Sequence, residues 1–163
     1  MPDLVAPALP PDVLSRRPQP TLRGDVLVLR PWAADEASEW VASWAVRWAA
    51  GTEASWAIAS ADGGLAVGRM AFKHIVPEAA VAEAAYWVAP PARGRGIAPA
   101  AVRLGSQWLF SLGFQRLELV HSVANLASCR VAEKAGYAFE GVRRRVGLHA
   151  DSSPAGIGGS APG

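Results

Sequence analysis

Hydrophobic and polar positions change period several times along this chain, and the changes mark out its elements. Residues 26–30 (VLVLR) form an apolar-rich run that predicts a first strand, stopped by Pro31. Asp35 is suited to cap the helix that follows. On it Trp40, Trp44 and Trp48 recur every four residues, which sets three indoles on one helical face. Packing against a sheet accounts for such a stripe; the alternative is the wall of an acceptor pocket. Gly51 ends this helix. Residues 55–60 predict a strand, Asp62-Gly63-Gly64 a hairpin turn, and residues 65–74 the returning strand. Another strand is predicted over residues 82–88. A helical pattern then covers residues 99–112, with Ala101, Gly105, Trp108 and Leu112 as a small-and-apolar stripe and Gly113 as its stop. Residues 116–122 read as a strand and residues 125–135 as a helix closed by Gly136. Hairpins fill the first half, and strands alternate with helices in the second. The pattern predicts an α/β fold: a mixed, mostly antiparallel twisted sheet with helices on both faces.

The two ends read differently. Six prolines lie within residues 1–20 (Pro2, Pro7, Pro10, Pro11, Pro18 and Pro20), which predicts a disordered arm. Residues 151–163 form a Ser/Gly/Pro tail without a strand pattern, also predicted to be disordered. One folded domain is left over residues 21–150, as a chain of 163 residues suggests. Hydrophobic residues make up 51% and charged residues 18%, enough to build a core. No apolar run reaches the length of a membrane span, and no secretory signal is evident. The single cysteine, Cys129, has no partner for an internal disulfide and fits a reducing compartment, so a cytoplasmic location is expected. A net charge of +2 favours a local anionic ligand over nucleic acid, which would want a broader basic surface.

The chemistry concentrates in residues 86–98, YWVAPPARGRGIA. A strand runs through a Pro-Pro break and a basic, glycine-spaced loop into a helix N-terminus. Converging backbone N–H groups and the helix dipole make such a junction an anion site. Gly94 and Gly96 leave room for a phosphate, and Arg93 and Arg95 offer charge-assisted donors. The chain has neither GxxxxGK[ST] nor a GxGxxG with a partnering acid, so the P-loop and Rossmann readings are unsupported.

Arg93-Gly94-Arg95-Gly96-Ile97-Ala98 resembles the R/Q-x-x-G-x-G/A signature of the GNAT N-acetyltransferases. Residues 125–137, NLASCRVAEKAGY, are similar to that family's N-x-x-S-x-x-V-A-E-K-x-G-F, and Phe139-Glu140-Gly141-Val142 follows as its F/L-E-G-V does. The combination resembles the branch that holds the ribosomal-protein N-terminal acetyltransferases.

That resemblance implies a function and a set of roles. The chain would transfer an acetyl group from acetyl-coenzyme A to a primary amine, by direct attack in a ternary complex and without a metal. Arg93, Gly94, Arg95, Gly96, Ile97 and Ala98 would cradle the pyrophosphate. The pantetheine arm would run beside the strand ending at Val88. A backbone N–H near Trp87 or Val88 would polarise the thioester carbonyl, worth about 3 kcal/mol for a well-aimed donor. Asn125 would bond the pantetheine arm, cap the following helix, or do both. Ser128 would donate a proton to the departing thiolate, or simply bond back to a helix carbonyl. The tyrosine that many relatives carry four residues further on is Ala132 here. Cys129 is expected to be a packing residue rather than a nucleophile.

The base is least defined. Glu83, on the strand before the loop, could take the amine proton directly or through water, with His121 and His149 as fallbacks. Weak base provision favours an acceptor of low pKa, because an α-amine near 7.7–8 is partly neutral at pH 7 and a lysine amine near 10.4 is not. The acceptor is therefore expected to be a peptide N-terminus or a small-molecule amine. Two departures from the family are expected: one helix instead of two between the first strands, and no counterpart of the last strand. A coenzyme-binding module without activity, and an unrelated nucleotide-binding α/β domain, are the alternatives. The chain is expected to be a monomer or a homodimer.

Overall fold

The computed structural model describes residues 6–36 and 42–143, and the backbone of residues 38–41, 147–148, 154–155 and 157–162. Strands β1 (Leu22–Arg23) and β2 (Leu27–Arg30) lead into α1 (Ser38–Ala49). A meander of β3 (Ala54–Ser60), β4 (Gly68–Val76) and β5 (Val81–Val88) follows. Next come α2 (Ile97–Ser111), β6 (Arg116–His121), α3 (Leu126–Ala135) and β7 (Ala138–Gly141). The last described strands are β8 (Gly147–Leu148), β9 (Pro154–Ala155) and β10 (Ile157–Pro162). The main sheet runs β1-β2-β3-β4-β5-β6-β10-β7. All its pairings are antiparallel except β5 with β6, where α2 supplies the long crossover that parallel neighbours need. The sheet is mixed and mostly antiparallel with flanking helices, as the sequence pattern predicts.

Side chains alternate across the sheet. Trp56, Ile58, Met70, Phe72, Ala84, Leu117 and Leu119 are buried core residues. Ala101, Val102, Gly105 and Leu109 of α2 are buried with them. Gly105 is the close contact: a Cβ there would sit 3.1 Å from Cε2 of Phe72. Trp108 flanks this seam, edge-on to Trp56 at 5.2 Å and stacked on Trp48 at 6.0 Å. Two residues of the predicted tryptophan stripe are thus packing residues. Trp48 donates through Nε1 to the Arg17 carbonyl, and Trp44 packs on Trp32 at 4.8 Å and under the Arg69 guanidinium. The Trp40 side chain lies outside the described residues.

The N-terminal arm departs from expectation. Leu14 is fully buried, and Val13 is buried beside it. Ala8 and Leu9 donate to the Glu78 and Pro77 carbonyls, Trp56 Nε1 donates to the Pro20 carbonyl at 2.8 Å, and Gln19 donates to that of Ser55. Proline lacks an N–H but keeps its carbonyl, so this segment supplies the acceptors that two buried indoles need. Residues 6–20 are therefore part of the folded unit.

The tail also departs from expectation. Ile157–Pro162 forms a strand between β6 and β7, antiparallel to both. Main-chain pairing requires no alternation of side chains, and IGGSAP carries none to read. The last strand that the sequence lacked by pattern is present by pairing. The expected single helix between the first strands is α1, the helix described between β2 and β3.

Candidate coenzyme cleft

Pairing of β5 with β6 stops at Ala84 opposite Leu119, yet β5 runs on to Val88 and β6 to His121. The sheet splays there, and the outer half of β5 has a free edge facing the gap. Which backbone groups it offers follows from register. Ala89 donates to the Val67 carbonyl, and a Cβ on Gly68 would overlap the Trp87 carbonyl. The main chain of Trp87 therefore points to β4. Strand alternation turns the N–H and C=O of Tyr86 and Val88 the other way, into the gap. Arg93 takes the Val88 carbonyl, donating from Nε at 2.8 Å, which leaves the Val88 N–H open.

Beyond β5 the chain makes a single 3₁₀ turn, Pro90–Ala92, and enters α2 through Gly94 and Gly96 at φ of 76° and 73°. Left-handed backbone at both positions curls the loop, and nothing lies within 4 Å of where either Cβ would be. The first intrahelical bond runs from the Ala100 N–H to the Gly96 carbonyl. The N–H groups of Ile97 and Ala98 have no helical acceptor, and Pro99 brings none. Its ring costs nothing in this first turn.

The far wall is α3. Asn125 is its N-cap and accepts the Ser128 N–H through Oδ1 at 3.0 Å. Tyr86 donates its phenol to Oγ of Ser128 at 2.8 Å. Burial raises the Tyr86 pKa; the bond to Ser128 opposes that shift. A second tyrosine, Tyr137, meets Ser106 of α2 at 2.8 Å, and burial lifts it to about 12. β5, the loop, α2 and α3 enclose a cleft of about 490 Å³. Its walls include Tyr86, Trp87, Val88, Gly94, Asn125 and Ser128, with the cations Arg93, Arg130 and Lys134 around it. A family model for the acetyltransferase (GNAT) domain matches residues 11–138.

This chain belongs to the GNAT family.

Solved GNAT-type structures share the fold at low identity. RimL, a ribosomal L7/L12 α-N-protein acetyltransferase in complex with coenzyme A, superposes with a TM-score of 0.78 at 15% identity, covering 88% of this chain and 98% of that one. Mycobacterium smegmatis RimJ in complex with CoA-disulfide gives 0.76 at 19% identity, covering 88% and 86%. The microcin C7 self-immunity acetyltransferase MccE, bound to acetyl-CoA and AMP, gives 0.77 at 17%, covering 85% and 93%. No curated protein sequence matches.

Most residues predicted for the GNAT site meet in this cleft: Trp87, Val88, Arg93, Gly94, Gly96, Ile97, Ala98, Asn125 and Ser128 all line it. Arg95 is exposed and lies outside the lining. Glu83 is also outside it, held by Lys73 at 3.0 Å and His74 at 2.8 Å. Its side chain shares a face of β5 with Trp87, roughly 13 Å along the strand. His121 bonds the Ser122 carbonyl through Nδ1, and His149 lies outside the described residues. Tyr86, Arg130 and Lys134 are lining residues that the motifs did not single out. The signal for Tyr86 was parity, since it shares the face of Val88.

Proposed function

We propose that this GNAT domain transfers an acetyl group from acetyl-coenzyme A to a primary amine by direct attack, with no covalent enzyme intermediate. The observation that carries the reading is the alignment of a free strand edge at Tyr86 and Val88 with a left-handed glycine loop at a helix N-terminus, in one cleft. The fit to the coenzyme is chemical. Open space at Gly94 and Gly96 and unpaired N–H groups at Ile97 and Ala98 suit a pyrophosphate. The edge of β5 suits the amides of a pantetheine arm, and Asn125 keeps its Nδ2 donors for it. When bound, the coenzyme supplies an activated acyl group on a thiol leaving group.

The chain supplies the rest. Val88 aims its N–H at the thioester oxygen, whereas the Trp87 amide is turned towards β4 and its exposed ring is part of the cleft lining. Ser128 gives a proton to the leaving sulfur. Among the lining residues there is no carboxylate and no imidazole. Proton removal by Glu83 would need intervening water. The acceptor is therefore an amine that arrives partly neutral, and a peptide α-amine fits where a lysine side chain does not.

The same lack of a base favours a second reading, a coenzyme-binding module without transfer. Thiol release from acetyl-coenzyme A over a panel of peptides separates the two: release with α-amines, and little with lysine side chains at pH 7, supports the enzyme. Coenzyme A should raise the melting temperature and ATP should not, since a ligand of the folded state stabilises it by about 2.7 kcal/mol at 100 times its Kd.

A further inference from the structure

We infer that Tyr86 is a positioning residue for proton delivery: its phenol holds and recharges Ser128, making a strand-borne tyrosine and a helix-borne serine one donor to the leaving sulfur. The inference rests on the acetyl-transfer reading above. Tyr86 comes from the free half of β5 and Ser128 from the first turn of α3, so the pair spans the cleft that their two elements wall. Their oxygens are 2.8 Å apart with the tyrosine donating. A serine whose Oγ already accepts this bond has its own hydrogen free to turn elsewhere. Its backbone is fixed as well, because the Ser128 N–H is tied to Asn125. Only Lys134, Arg93 and Arg130 are other proton-bearing side chains with a charge in the lining, and Lys134 sits in the last turn of α3, away from Ser128.

A serine hydroxyl is too weak an acid to be left as an alkoxide, so a donated proton must be replaced in the same event. As the C–S bond breaks, its electron pair stays on sulfur. The Ser128 proton moves to that sulfur and the Tyr86 proton moves to Oγ. The attacking nitrogen sheds its proton to water, and Tyr86 regains one from solvent, so protons balance over the turnover. Burial disfavours tyrosinate, so the phenol carries its proton before the step and the tyrosinate left by the transfer is short-lived, drawing its proton back from solvent.

The test compares wild type with Tyr86→Phe, Ser128→Ala and the double variant, in single-turnover thiol release from acetyl-coenzyme A with the best peptide acceptor. Each single variant should lose roughly 10- to 100-fold in rate, at the lower end of acid catalysis because a thiolate is a tolerable leaving group. The double variant should be no slower than the worse single one, as expected of groups acting as a unit. The KM for acetyl-coenzyme A, and the melting-temperature rise that coenzyme A causes, should stay within about 3-fold and a few degrees of wild type. Wild-type rates in Tyr86→Phe would overturn the inference while leaving the acetyl-transfer reading intact. So would losses that multiply in the double variant, or a rate loss matched by a rise in KM. A wild-type protein that binds coenzyme A but releases no thiol with any acceptor would remove the reading and this inference together. If Tyr86→Phe proves unstable, the dependence of the wild-type single-turnover rate on deuterium fraction decides: a curved dependence shows two protons in flight, and a linear one overturns the inference.

Discussion

Single residues in the loop carry conformational duties that their side chains do not reveal. At Gly96 the φ of 73° is a left-handed one, and the space beside it opens onto the cleft. Gly96→Val therefore acts twice: it strains the backbone by about 1–2 kcal/mol and puts a branched side chain where a phosphate would lie. We expect at least a tenfold weaker coenzyme A affinity by calorimetry, with a melting temperature only a few degrees lower. The glycine spacing was legible because glycine takes a positive φ without the steric cost that other residues carry. The partners of the neighbouring arginines were not. Arg93 donates to the Val88 carbonyl, and Arg95 is exposed and outside the lining, yet the two are the same residue type two positions apart. Composition fixes what a guanidinium can do; only the path of the loop fixes what it meets.

Between elements, two contacts are close enough to test. The first is α2 on β4. Phe72 is fully buried and lies 3.1 Å from where a Cβ on Gly105 would be, so a side chain there would have to push the ring by a few tenths of an ångström. Gly105→Val should cost about 1–3 kcal/mol in urea unfolding despite the better helix propensity of other residues. The second joins the end of β2 to the start of α1. Arg30 grips both Glu36 oxygens, at 2.8 and 2.5 Å, and the Ala33 N–H adds a third bond. The Arg30 bond is the largest cause that lowers the Glu36 pKa from 4.5 to about 2, and Arg30 is raised in return. A carboxyl that is harder to protonate when folded stabilises the fold at pH values above its unfolded pKa. That contribution is lost as pH falls from about 4.5 towards about 2. Glu36→Gln should therefore be less stable than wild type at pH 7, and the gap should narrow as pH falls below about 4.5 and close only near pH 2 in the same urea assay.

At the scale of the molecule, the N-terminal arm and β10 show how much a sheet decides for segments with little pattern of their own. Leu14 is fully buried, and its neighbours Arg17 and Pro20 accept the indole N–H groups of Trp48 and Trp56. Leu14→Ala should cost about 2–5 kcal/mol by thermal or urea unfolding, a core-sized loss that a disordered arm would not give. Apolar runs, turn residues and helical periodicity located β3 to β6 and the three described helices within a few residues, although β3 is buried on both faces and shows no one-sided alternation. They also located the glycine loop ahead of α2, because a left-handed junction into a helix favours glycine at particular spacings. Three things were left to the assembled fold. One was the docking of a proline-rich arm through its carbonyls. Another was the insertion of a glycine-rich strand by main-chain pairing alone. The last was the splay of β5 from β6 that frees Val88 and brings Tyr86 to Ser128. In each case the deciding contact joins groups far apart in the chain, and no local run of residues records it.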